Sequence, residues 1–336
     1  MSFSFASDGI EVLWISGREV ERLLTFPLCI EAVAAAMVEV SAGNAELPLR
    51  RGMPLLNKKG MLGMMAGHLG KPDCFGIKLI SLFPDNPKHG FPSHLGLYVL
   101  FEPEHGRPLA VMDANVITAI RTAAASAVAT RALARADAKV LAILGTGEQA
   151  HAHLQALPLV RDLTEIRVWG RDLAKAQAVI DCQRRTVSAR LTATDDLASA
   201  IAGADIICTL TAAKTPFFKG EWLRPGQHLN LVGSSVPTAA EVDGETVAQS
   251  RFFVDYRPST LDQAGEFLAA LQAGLIKEDH IAGEIGAVLA GKIEGRRSPK
   301  EVTVYKSLGI AAQDLAAAWA VFQAAQERRA GTRVVL

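Results

Sequence analysis

Residues 140–154, VLAILGTGEQAHAHL, constrain this chain more than any other stretch. Five apolar residues stop at Gly145, and a helical pattern opens three residues later. A strand that hands over so abruptly to a helix needs glycine at the turn, and it leaves the first helical N–H groups facing outward with a partial positive charge. In that geometry Gly145 permits the tight turn and Gly147 lets backbone approach a bound pyrophosphate. Ala150 keeps helix and sheet close, while Thr146, Glu148 and Gln149 complete the turn. A structural tight turn is the competing reading. The preceding apolar strand, the following helix and the second strand EIRVW favour a dinucleotide cradle.

Strand and helix signals alternate around that turn. KVLAIL precedes a helix from about Glu148, EIRVW precedes one from Asp172, and DIICTL, HLNLVG and RFFVD follow. Such alternation predicts right-handed crossovers and a parallel sheet covered on both faces. Before it, EVLWIS reads as a strand and PLCIEAVAAAMVEVSAG as a helix opened by Pro27 and closed near Gly43. MLGMMAG, FGIKLISLF, LGLYVLFEP and PLAVMDA follow as strands without intervening helices, which predicts an antiparallel or mixed sheet. An Ala-rich helix over 115–134 leads into the alternating zone. A closing helix, SLGIAAQDLAAAWAVFQAAQERR, is expected to pack back on the first zone. The fold class is therefore α/β: a Rossmann-type doubly wound parallel sheet over 115–308, with a smaller α+β domain over 1–114 completed by 309–336.

The chain's 336 residues carry 35 basic and 35 acidic side chains, so formal net charge is zero. That balance offers no electrostatic case for nucleic acid or an anionic membrane as partner. The start, MSFSFASDGIEVLWIS, lacks the basic and apolar regions of a signal peptide, and no run approaches about 18 uncharged apolar residues. A cytoplasmic protein is expected. Cys29, Cys74, Cys182 and Cys208 are scattered without CxxC pairing or histidine partners, which predicts reduced core cysteines and no metal site.

The tip of the second strand bears on the choice of dinucleotide. An NAD site places an acid there for the ribose hydroxyls, whereas this chain has Trp169-Gly170-Arg171, with Asp172 slightly late. Arg171 suits a 2′-phosphate, so NADP(H) is favoured and NAD(H) possible. A solvated arginine is the plain alternative.

Three cations sit in apolar settings: Arg50 after ELPL, Lys78 inside FGIKLISLF, and Arg121 in ITAIRTAAAS. A buried cation needs an anion, either a protein carboxylate or a substrate. Three together in a chain with a dinucleotide cradle point to a substrate carboxylate gripped by guanidinium forks, with a lysine near the reacting atom. Ser93 and His94 lie in a Gly/Pro loop nearby, where a histidine is commonly solvated. Asp73, Asp85, Glu102 and Glu104 read as solvated loop acids.

The stretches PSHLGLYVLFEPEHGRPLAVMDANVITAIRTAAASAVAT, LGTGEQAHAH, GEWLRPGQHLNLVGSSVP and VTVYKSLGIAAQDL carry a resemblance over nearly the whole chain. They resemble the ornithine cyclodeaminase/mu-crystallin family, on its ketimine-reductase (Δ1-pyrroline-2-carboxylate reductase) side. The resemblance implies an N-terminal substrate and dimerisation domain beside a Rossmann domain, hence a homodimer, and chemistry at a carbon–nitrogen bond next to a carboxylate. It matches Arg50, Lys78 and Arg121 to the family's substrate-carboxylate and catalytic cations, and Ser93 and His94 to residues near substrate and nicotinamide. Thr122, the GTGEQA turn, Arg171, Val232 and Leu308 match cofactor contacts. One departure matters. Where the cyclodeaminases and related alanine dehydrogenases resemble VG-G/A-D-x-P, this chain reads Val232-Gly233-Ser234-Ser235-Val236-Pro237, with serine at the aspartate position. Serine cannot take a proton at neutral pH as a carboxylate does, which disfavours ammonia-releasing cyclisation. The expected reaction is NAD(P)H reduction of a C=N bond alpha to a carboxylate on a small anionic imino acid, with Lys78 handling the proton and Ser235 orienting nicotinamide or nitrogen. Cyclodeamination of ornithine, an alanine or aspartate type dehydrogenase or iminosuccinate reductase, and a non-catalytic small-ligand binder remain as rival readings.

Overall fold

A computed structural model describes residues 9–184 and 187–336. The chain forms two compact units, Met1–Arg121 with Ile310–Leu336, and Thr122–Gly309.

The first unit contains β1 (Glu11–Ile15), α1 (Gly17–Leu23), α2 (Phe26–Ser41), β2 (Ala45–Glu46), β3 (Arg51–Pro54), β4 (Met61–Gly70), β5 (Asp73–Leu82), β6 (His94–Phe101) and β7 (Pro108–Asp113). The helix α3 (Ala114–Leu133) starts in it, and α11 (Ala311–Arg328) and β16 (Thr332–Val335) close it. The sheet runs β16-β1-β7-β6-β5-β4-β2, with β3 also on β4. It is mixed: β1 and β7 are parallel, and the remaining pairs are antiparallel. The helix at Pro27 starts where expected, whereas α1 was not foreseen in the sequence. Ser16 and Glu19 form a capping box on α1, and Thr25 with Pro27 opens α2. The final strand β16, unforeseen in the sequence, pairs antiparallel with β1.

Alternation along β5 and β6 sorts residues between two faces. Cys74, Gly76, Lys78, Tyr98 and Leu100 are buried, whereas Phe75, Ile77, Leu79, Leu97 and Val99 are not. The buried face meets α11, which packs on β4, β5 and β6. A Cβ on Gly67 would lie 2.9 Å from the Ala311 methyl, so sheet and helix approach at backbone range. The closing helix begins at Ala311 rather than near Ser307, because Gly309 takes φ +75° and the amides of Leu308 and Gly309 donate to Asp255 instead.

The second unit holds β8 (Val140–Leu144), α4 (Glu148–Ala156), β9 (Glu165–Trp169), α5 (Leu173–Gln183), β10 (Arg190–Thr194), α6 (Leu197–Ile201), β11 (Ile206–Thr209), β12 (His228–Leu231), α7 (Gly244–Ala248), β13 (Arg251–Val254), α8 (Arg257–Gln263), α9 (Gly265–Gln272), β14 (Ile281–Glu284), α10 (Ile285–Leu289) and β15 (Thr303–Lys306). All its strand pairs are parallel, in the order β10-β9-β8-β11-β12-β15-β13-β14. The order reverses between β8 and β11, the crevice where doubly wound sheets take ligands. The four-residue strands β14 and β15 and the polar edge strand β10 went unread in the sequence. Short runs carry too little periodicity to register.

By length and composition α3 is apolar enough to cross a membrane despite Arg121 and Arg131, as is the bent pair α1–α2 if counted as one span. The α3 window is 72% buried within the protein, the mark of a core helix. All four cysteines are free; Cys29, Cys74 and Cys208 are buried, and burial pushes each thiol up to about 12. Cys182 departs from the expected core placement and is exposed on α5.

Candidate active site

Two clusters emerge, one in each unit. In the parallel sheet, the expected cofactor residues come from the carboxyl ends of different strands. Gly145 follows β8, Arg171 follows β9, Val232 and Ser235 follow β12, and Leu308 follows β15. Gly145 takes φ +142°, and a Cβ there would meet the Leu210 carbonyl at 2.5 Å, so the turn admits glycine alone. Gly147 is the N-cap of α4, and a Cβ on it would meet nothing within 4 Å. Asp172, Asp196 and Asp243 cap α5, α6 and α7 through their side chains, whereas α4 has no side-chain cap. An open approach and uncapped amides suit a pyrophosphate. Ala150 is fully buried under this turn.

Asp172 spends its carboxylate on the amides of Ala174 and Lys175, at 3.0 and 3.3 Å. Arg171 beside it is exposed. Thr122, Val232 and Leu308 are buried, and Ser235 is half-buried.

The other cluster lies on the buried face of the mixed sheet. Lys78, 2% exposed, stands opposite Met65 on β4 and Tyr98 on β6. Its Nζ donates to Asp314 Oδ2 at 2.8 Å and to Thr118 Oγ1 at 3.3 Å. Arg121 donates from Nε to Asp314 Oδ1 at 2.9 Å and from Nη1 to Gln313 Oε1 at 2.9 Å. One fully buried carboxylate therefore serves two cations. Arg121 keeps Nη2 without a partner among the described residues, and that nitrogen is not sealed from solvent. Burial pushes Lys78 down to about 8; Asp314 opposes that, and the positive charges of Arg121 and Arg50 reinforce it. Burial also works against ionisation of Asp314, but Arg121 and Lys78 together hold its carboxyl below the ordinary value. Arg50 is half-buried in the connection from β2 to β3, near enough to act on Lys78.

His94 pairs with Leu82, so it shares the Lys78 face about 13 Å along the strand. Ser93 Oγ lies 2.9 Å from His94 Nδ1, and Asn115 fixes the His94 carbonyl at 3.0 Å. Desolvation lowers the imidazole's pKa although the side chain keeps surface exposure.

Asp314 and Gln313 were missed by sequence reading. The signal was an acid in AAQDLAAA, a helix otherwise made of small and apolar residues, which is the anion the buried cations demanded. Glu102 corrects an expectation. It is part-buried and accepts amides from Glu104, His105 and Arg107, so it clasps the β6–β7 turn. It approaches Glu104 and His105 closely enough for a three-ligand cluster, but those hydrogen bonds already account for its place.

The ornithine cyclodeaminase/mu-crystallin family model matches residues 12–329. The chain is 35% identical to the ketimine reductase mu-crystallin of Mus musculus, over 92% of this chain and 96% of that protein. The fold matches the Δ1-pyrroline-2-carboxylate reductase of Thermococcus litoralis, solved with NADH and L-proline, with TM-score 0.92 and 34% identity, covering 96% of this chain and 100% of that one. It also matches an archaeal alanine dehydrogenase dimer with bound NAD, with TM-score 0.89 and 32% identity over 96% and 99% of the two chains. With a glycine turn fit for pyrophosphate, a doubly wound sheet and a likeness that runs nearly end to end, the chain belongs to the ornithine cyclodeaminase/mu-crystallin family.

Proposed function

We propose that this protein reduces a C=N bond alpha to a carboxylate, converting Δ1-pyrroline-2-carboxylate or Δ1-piperideine-2-carboxylate to proline or pipecolate. The observation that carries this reading is the shared counter-ion: Lys78 and Arg121 are buried with a single carboxylate between them. Two cations to one acid leave a positive excess that a substrate carboxylate neutralises. Arg121 Nη2 and Arg50 grip that carboxylate. Lys78, with an Nζ proton not spent on Asp314 or Thr118, keeps the imine nitrogen protonated. His94, on the same sheet face further along the strand, and Ser93, which bonds it, lie at the outer end of the proposed substrate site. The nicotinamide supplies the hydride. Gly145, Thr146, Gly147, Glu148, Gln149 and Ala150 hold its pyrophosphate; Thr122, Val232 and Leu308 line the cofactor, and Ser235 orients it. A diamino acid such as ornithine would add a second ammonium to a site already in positive excess, which argues against cyclodeamination.

The test follows NADPH and NADH oxidation against cyclic imino acids, against 2-oxo acids with ammonia, and against ornithine. Rapid oxidation with the cyclic imines supports the reading. Turnover confined to alanine- or aspartate-forming mixtures, or proline formed from ornithine without net NADH change, replaces it. Arg171 favours NADP(H) through a 2′-phosphate contact.

The part-exposed sheet face supports a homodimer. Met64, Ile77, Leu79, Leu97, Val99 and Trp14 lie on it by ladder register, with the charged Arg51 opposite Met64 and Asp113 opposite Leu97 at its margins. Trp14 is 45% and Leu97 41% exposed, so a broad apolar surface awaits cover, and the similar alanine dehydrogenase is a dimer. A second copy of the chain is the proposed occupant. Light scattering of Leu97→Lys should show monomer where the parent shows dimer; a monomeric parent removes the idea.

A further inference from the structure

We infer that Glu241 is a positioning residue, whose buried carboxylate fixes the carboxyl ends of β11 and β12 so that the Ser234–Ser235 backbone is presented to the nicotinamide half of the dinucleotide. The inference rests on the nucleotide reading given above.

Four donors converge on this fully buried side chain. Oε1 accepts from the Thr211 amide at 2.6 Å and the Thr211 hydroxyl at 2.7 Å. Oε2 accepts from the Thr209 hydroxyl at 2.7 Å and the Gly233 amide at 2.7 Å. Burial raises the Glu241 pKa, and the hydrogen bonds from Thr209 and Thr211 oppose that; each oxygen accepts one backbone amide, so a glutamine amide would set N–H against N–H on one side. The packing leaves no slack: a Cβ on Gly233 would sit 2.1 Å from the Thr211 carbonyl oxygen and 2.6 Å from Glu241 Oε1.

A second buried pair secures the next residue. Lys306, at the end of β15, donates to the Ser234 carbonyl at 2.6 Å and lies 3.2 Å from Glu266. Ser234 Oγ closes the loop on the Ala239 carbonyl at 2.5 Å. The loop after β12 is thus tied by its amide, its carbonyl and its hydroxyl, and Ser235 is the first residue beyond those ties. Two acids and one base are costly to bury where apolar packing would serve for stability alone. The strand ends they fix lie on the β11–β12–β15 side of the switch point, the half of such sheets that receives the second nucleoside of a dinucleotide.

The experiment compares NADH with ADP-ribose, which lacks nicotinamide, by titration into the full-length protein and Glu241→Gln. The expected result is NADH affinity weakened roughly 10–100-fold, from lost hydrogen bonds, with ADP-ribose held within about twofold. KM for NADH should rise with it. Equal weakening of both ligands, or unchanged NADH affinity, overturns the assignment. Should Glu241→Gln fail to fold, the paired Thr209→Val and Thr211→Val variant removes two donors while keeping the carboxyl group, and must show the same split on a smaller scale. A parent protein that binds neither NADH nor ADP-ribose would overturn the nucleotide reading and this inference together.

Discussion

The two buried ionic centres of this protein are near opposites. In the mixed-sheet unit, two cations share Asp314, and Arg121 Nη2 and part of Lys78 Nζ remain undirected. In the parallel-sheet unit, Glu241 has both oxygens saturated by four donors, and two acids accompany one lysine. A centre with spare donors and excess charge suits the substrate carboxylate proposed above. A saturated one is built to hold backbone still. Burial alone does not distinguish them; the hydrogen-bond count does.

The largest effect should come from Lys78→Met. Turnover should fall by roughly a thousandfold or more, combining a lost proton donor with a lost substrate contact, while NADH affinity stays near the parent's. Parent-like rates in a stopped-flow assay would remove the lysine from the mechanism. Next is Asp314→Asn, which leaves two buried cations without their anion. Unfolding should become easier by about 3–5 kcal/mol, measured by denaturant titration, and kcat should drop as Lys78 and Arg121 lose their fixed positions. An unchanged midpoint would mean that the cage is not held by this carboxylate.

The pH dependence sharpens the contrast. In the proposed reaction Lys78 acts in its protonated form, so kcat should fall as pH rises through about 8. Its folded pKa lies below the ordinary 10.5, so between about 8 and 10.5 the unfolded chain binds this proton better, and stability from this one group rises with pH. Activity and that share of stability should therefore move in opposite directions, as rate profiles and melting curves on one buffer series would reveal. The smallest effect belongs to Arg171→Ala. It should reduce preference for NADPH over NADH by about tenfold, the scale of one exposed charge-assisted contact. An unchanged ratio of kcat/KM values would leave Arg171 a solvated side chain.

Much of this was legible early, for a physical reason. The glycine turn, its helix and the flanking strands are local features, written in periods of two and 3.6 residues and in the conformational needs of Gly145. Lys78 stood out because a charge interrupted an apolar strand. What stayed hidden is long-range. Arg121 and Asp314 are separated by 193 residues, and nothing in either neighbourhood names the other. Glu241 sits in a connection without periodicity, and β15 enters the sheet out of chain order, between β12 and β13.

By itself, then, the sequence determined the kind of fold, the phosphate turn and the demand for an anion near the buried cations, since each follows from the local cost of a conformation or a charge. Only the tertiary structure decided which carboxylate meets that demand, how many donors remain for a ligand, and which buried acid is fully committed. Those answers depend on which distant segments share one face of a sheet, and ladder register and helix packing set that.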